Sequence, residues 1–174
     1  MQSTMMVNPA FVRTMAAYNA EMNRRLYEAS ARVPDVARRE DRGAFWGSLH
    51  GTLCHLVWAD RMWMARFDGW EKPAVIQKAS ATLIEDFDEL HHQRVADDAK
   101  ISDWAGRVTD EWLAANQTWF SASVQKELHM PRGFLVTHFF NHQTHHRGQA
   151  HALITACGEK TGDTDLFLVV PSPL

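Results

Sequence analysis

Apolar positions recur every three or four residues along most of this 174-residue chain, the period of a helix that buries one face. Phe11, Met15, Tyr18, Met22, Leu26 and Ala29 form the first such stripe. Asn8-Pro9 opens it as a cap followed by a first-turn proline, so a helix is predicted over about 9–31. The polar, charged stretch over 33–43 reads as a loop with room for one helical turn. Phe45, Leu49, Thr52, Leu56, Ala59, Trp63 and Phe67 mark a second long helix over about 44–67, stopped by Gly69 and Pro73. Leu83, Phe87, Leu90, Arg94, Ile101 and Trp104 mark a third over about 80–107, with Ser80 as its N-cap. Thr109-Asp110-Glu111 starts a short helix ending near 115, and the segments 119–124 and 126–130 suit a small hairpin. A fourth long helix is predicted over about 133–156, closed by Gly158 as a C-cap glycine, and the tail over 163–171 reads as extended. Four long helices on one core predict an all-α four-helix bundle, and the length predicts one domain over 1–174.

Composition narrows the function classes. The net charge of −3 with no basic cluster argues against nucleic acid or an anionic membrane as partner. No apolar run approaches the ~20 residues needed to span a bilayer. The stretch over 1–9 lacks the charged-then-apolar layout of a signal peptide. Cys54 and Cys157 stand in apolar surroundings and read as free thiols, which fits a cytoplasmic protein. Seven tryptophans suggest a bulky core or an aromatic-lined pocket.

The chemistry concentrates in the fourth helix. His138, His142 and His146 lie four residues apart and form a stripe that drifts by about 40° per step. Two imidazoles at i and i+4 close on one transition metal without distorting the backbone. His138 and His146 span two turns, about 12 Å along the axis, so a third ligand is expected from a neighbouring helix. His50 and His55 are the candidates there, about 140° apart on the second helix, and spacing does not choose between them. His145 points about 100° away from His146 and is expected to be exposed. His91, His92, His129 and His151 read as ordinary surface or hydrogen-bonded histidines. Glu89-x-x-His92 matches half of a di-iron motif, but only one copy exists and His92 points away from the core side.

The run Asn141-His142-Gln143-Thr144-His145-His146-Arg147-Gly148-Gln149 resembles the signature of the DNA-damage-inducible DinB-like family. The second-helix segment from His55 through Asp60, Arg61 and Trp63 to Phe67 is similar too, as is Thr164-Asp165-Leu166 ahead of Pro171. The resemblance implies a bundle of up-down-down-up topology, often a homodimer. It also implies a divalent metal held by His55, His142 and His146, with His138 lining the site or packing beneath it. Gly148 inside a helix costs roughly 1 kcal/mol against alanine, and close approach of another helix is the expected reason. Arg147 and Gln149 read as orienting ligands or fixing packing, with structural roles expected, and Asp60 and Arg61 as an interhelical ion pair.

A neutral three-histidine shell leaves the ion's charge uncompensated, which acidifies a bound water or thiol. Members of the resembling superfamily include thiol-dependent transferases and isomerases, and others assigned as metal-dependent hydrolases. Gln143 stands where a His-Glu-x-x-His protease carries its glutamate base, and no nucleophile elbow, phosphate loop or dinucleotide fingerprint occurs. The expected function is therefore a divalent-metal-dependent enzyme, thiol S-transferase-like, acting on a small electrophile with a low-molecular-weight thiol. The alternatives are a metal-dependent hydrolase or a non-catalytic metal-binding stress-response protein. Imidazole ligands suit zinc and nickel, and also iron.

Overall fold

The computed structural model describes residues 6–122 and 124–171. Met1–Met5, which belong to the stretch read for a leader, and Ser123, inside the predicted hairpin, lie outside them. Helix α1 (Pro9–Arg32) starts where Asn8 accepts a hydrogen bond from the Phe11 amide, with Pro9 in the first turn. The charged connection holds one short helix, α2 (Asp35–Arg39). Helix α3 (Leu49–Phe67) is capped by the Ser48 side chain, and Gly69 follows its end at φ +70°. A 3-10 helix (Gln77–Thr82) precedes α4 (Phe87–Arg107), and α5 (Asp110–Ala114) is capped by Thr109. Strands β1 (Asn116–Ser121) and β2 (Lys126–Pro131) pair antiparallel, with Thr118 opposite His129. Helix α6 (Arg132–Ala156) ends with Gly158 at φ +86°.

Four boundaries differ from the sequence reading, the first being strand β1, which runs over 116–121 and not 119–124. Residues 44–48 form a tight turn rather than the start of α3, with an Ala44–Gly47 bridge, and Phe45 is 77% exposed. Its match to the helical period was a coincidence of a turn. Ser80 does not cap α4; Asp86 does, accepting from the Glu89 amide, while Ser80 is buried in the 3-10 helix. The tail is not wholly extended, since Leu166–Val169 forms a single turn, α7.

Side-chain pairs fix the directions of the long helices. Phe11 meets Phe140 and Asn19 meets Arg147, so α1 and α6 run parallel. Asn23 binds Asp98 while Tyr27 stacks on Phe87, so α1 and α4 are antiparallel. Arg94 pairs with Asp60, and Trp104 stacks on Phe67, so α3 and α4 are parallel. Trp63 meets His138 and His55 meets His146, so α3 and α6 are antiparallel. The order up, down, down, up follows from these four pairings.

The core has two apolar halves. One gathers Leu26, Leu53, Leu90 and Ile154, and the other Val12, Met64, Ile101 and Phe139. At matching heights on the four helices, a buried polar layer separates them: Asn19 and Asn23, Asp60, Arg94 and Asp98, and Gln143 and Arg147. Arg94 is 1% exposed and reaches Asp60 at 2.7 Å and Asp98 at 2.9 Å. Asn19 accepts from Arg147 and donates to Asp98. Asp60 and Arg61 do make interhelical pairs, each with a different α4 partner, Arg94 and Asp97. Gly148 has nothing within 4 Å of where a Cβ would sit, so no helix approaches it closely. Where the chain does need a glycine is Gly51, whose Cβ would stand 2.5 Å from the Trp46 carbonyl oxygen. No described helix is long and apolar enough to cross a membrane.

A candidate metal centre

The antiparallel packing of α3 on α6 brings together one histidine from the first helix and two from the second. His55, His142 and His146 each offer a ring nitrogen, and these nitrogens all lie within 4.8 Å of one another. His142 Nε2 stands 3.1 Å from His146 Nε2. Two nitrogens at about 2.0–2.1 Å from one ion, at angles between 90° and tetrahedral, are themselves about 2.9–3.4 Å apart. The α6 pair already has a chelating spacing.

The far sides of the rings are held. His55 Nδ1 lies 2.8 Å from Ser80 Oγ, a hydroxyl able to accept the Nδ1 proton and leave Nε2 bare. His146 Nδ1 donates to Gln149 Oε1 at 2.7 Å, three residues along the same helix. Partners of this kind set the tautomer and aim the free nitrogen. His55 is also stacked under Trp46, with ring centroids 3.9 Å apart, and Trp58 lies parallel on it at 5.7 Å. Gly51 is what lets the Trp46 backbone come so near α3.

Electrostatics keep the cluster neutral. Burial, then the neighbouring imidazoles of His146 and His142, lowers the His55 pKa to about 3. Burial lowers His142 to about 3 as well, with help from His146, His138 and His145. Burial also lowers His146, against the Gln149 hydrogen bond, which favours its protonated form. Among the described residues, no carboxylate acts on any of the three. Bare, unprotonated imidazoles are what a transition metal needs as ligands.

The other histidines fall elsewhere. His50 is turned away and bonds the Ile84 carbonyl at 2.8 Å, so of the two α3 candidates only His55 faces the α6 pair. His138 is exposed, one turn from His142 and edge-on to Trp63 at 5.1 Å. His145 is exposed, as expected, edge-on to His146. His91 packs tilted against Tyr27, His129 bonds Thr118, and His151 bonds Thr161. Gln143 is fully buried beside Asp60 in the polar layer, so it is not a base facing the cluster.

Sequence reasoning missed Ser80 as the partner of His55. The only available signal was a serine that fitted an N-cap, and the two roles look identical in one dimension. It also missed Trp46 as the lid on the His55 ring.

The model of the DinB family matches residues 3–170. No curated protein and no solved structure matches the chain. A match over nearly the whole length, on a helical bundle with a hairpin before its last long helix and three clustered histidines, leaves one conclusion: the chain belongs to the DinB family.

Proposed function

We propose that His55, His142 and His146 hold one divalent transition-metal ion and that the protein is a metal-dependent transferase of a low-molecular-weight thiol to a small electrophile. The observation that carries the reading is the set of three converging, neutral ring nitrogens with no carboxylate among the groups that act on them. The donor set fits the ion: the α6 nitrogens are already at chelating distance, and Ser80 and Gln149 brace two of the rings from behind. Three histidines leave a tetrahedral or larger shell with an open position. An ion there would lower the pKa of a thiol or water bound in that position.

The chain's own residues do the rest. The imidazoles contribute no charge, so a ligand that arrives as an anion is favoured over a neutral one. The indoles of Trp46 and Trp58 stack against the buried His55 ring and help exclude water from it. Thiolate is the nucleophilic form of a thiol, and a site that favours it needs no separate base to generate it. This favours transfer of a thiol over the hydrolase alternative, because among the described residues the groups that act on the three ligands are other imidazoles and Gln149, with no carboxylate to serve as base to a water.

The test is a rate measurement on zinc- or nickel-loaded protein with 2-mercaptoethanol or cysteine and an aryl-halide dye. Thiol consumption above the uncatalysed rate, lost in His142→Ala, supports the proposal. Metal binding without any acceleration across thiols would instead favour a non-catalytic metal protein.

A further inference from the structure

Arg66 is the one described arginine that is not exposed yet makes neither an ion pair nor a hydrogen bond. Its guanidinium stacks over Trp63 at 4.6 Å and faces Trp119 of β1 at 5.9 Å. Contact with the indoles is made through the π faces and leaves the five in-plane N–H donors of the planar group free. The other stacked arginines differ. Arg38 over Phe87 also bonds Asp35 and two carbonyls, Arg132 over Trp112 bonds Gln117, and Arg147 over Tyr18 bonds Asn19. Burial alone acts on Arg66, lowering its pKa, and no acid is near enough to oppose it. A partly desolvated cation with an idle donor edge, in a chain of net charge −3, is a place built for an anion.

Its position connects it to the candidate metal centre. Eleven residues separate His55 from Arg66 on α3, which returns to within about 20° of the same face some 16 Å along the axis. Helical side chains lean toward the N-terminus, and the guanidinium lies back over Trp63, one turn nearer His55. From there the rings run without a gap: Trp63 to His138 at 5.1 Å, and His138 to His142 at 5.9 Å. We infer that Arg66, lying over Trp63 and against Trp119, is an anion subsite that holds the carboxylate end of a thiol whose sulfur reaches the three-histidine cluster. A carboxylate suits it better than a phosphate, because Arg66 is the one cation stacked on this tryptophan pair and offers a single charge and a planar fork. The inference rests on the proposed metal-and-thiol reading for the second half of the ligand, and the test separates the two.

The experiment compares 6-mercaptohexanoate with 6-mercaptohexanol, equal in length and differing in the anionic end. Both are titrated into cobalt-loaded wild type, Arg66→Gln and Arg66→Lys, following the thiolate-to-cobalt absorption band and tryptophan fluorescence. Wild type is expected to bind the acid about tenfold more tightly than the alcohol, as a charge-assisted bidentate contact supplies. Arg66→Gln should level the two while keeping the cobalt content and the alcohol affinity, and Arg66→Lys should retain part of the preference. Equal affinity in wild type, or a preference that survives Arg66→Gln, overturns the subsite. If no cobalt binds, the metal reading fails by itself. The subsite is then judged by hexanoate against hexanol on tryptophan fluorescence: a carboxylate-only response lost in Arg66→Gln upholds it, and no response overturns it.

Discussion

Replacing Ser80 by alanine deletes one oxygen, 2.8 Å behind the ring of His55. The serine is fully buried, so no water takes the vacated place without opening the packing around the 3-10 helix. His55 Nδ1–H is then left without an acceptor, a loss of about 1–3 kcal/mol for a buried donor. Part of that cost falls on metal affinity, because the neutral tautomer with a bare Nε2 is no longer specified. Loss of such a partner costs roughly 10–100-fold in metal binding. The ring stays clamped by Trp46 at 3.9 Å and by Trp58, so its orientation survives in part and the lower end, about tenfold, is expected. A competition titration of zinc against a chromophoric chelator, on wild type and Ser80→Ala, reads this directly. Urea unfolding of the metal-free proteins runs beside it, to separate loss of affinity from loss of fold. Zinc affinities within twofold of each other would refute the claim that Ser80 orients a ligand.

Arg94→Leu leaves Asp60 and Asp98 buried without their shared cation, and urea unfolding should record a loss of about 3–5 kcal/mol. Gly51→Ala drives a Cβ against the Trp46 carbonyl, so it should destabilise by about 1–3 kcal/mol and shift the near-ultraviolet signal of the tryptophans. Gly148→Ala meets nothing and should raise stability by roughly 1 kcal/mol, since only helix propensity changes. In metal-free protein, His142 has its pKa lowered from 6.5 to about 3, so between those values the unfolded chain holds the extra proton. Stability therefore falls as pH drops through that window. Between pH 6 and 4, wild type should lose at most about 1.4 kcal/mol per pH unit more than His142→Gln. Asp98, with its pKa raised by burial to about 6, acts in the opposite sense but equally in both proteins, so the difference reports His142 together with the part of the His55 shift that His142 causes.

Much of this was legible in one dimension because helices write their packing as a period. The four long stripes located the bundle, and the i, i+4 spacing of His142 and His146 fixed two rings on one face whatever the surroundings. What spacing could not decide was angle across helices. His50 and His55 differ by about 140°, and only the crossing of α3 on α6 selects His55. The stripe on α1 was centred on Tyr18 and Met22, yet Asn19 and Asn23 are among its most buried residues. An apolar stripe gives no sign of them, because the partners that make their burial possible, Asp98 and Arg147, are far away in sequence. Phe45 failed for the converse reason: an apolar residue at the right phase is inward only if the helix extends to it, and the turn at Gly43 and Gly47 prevents that.

The central claim is that three histidines from two antiparallel helices hold one ion. Metal analysis of untagged protein purified without a chelating column, beside His142→Ala prepared in parallel, tests it most directly. About one ion per chain in wild type, lost in the variant with the helical content unchanged, is the predicted result. Wild type that takes up no zinc, nickel or iron even after incubation, or a variant that retains the full complement, would contradict the account.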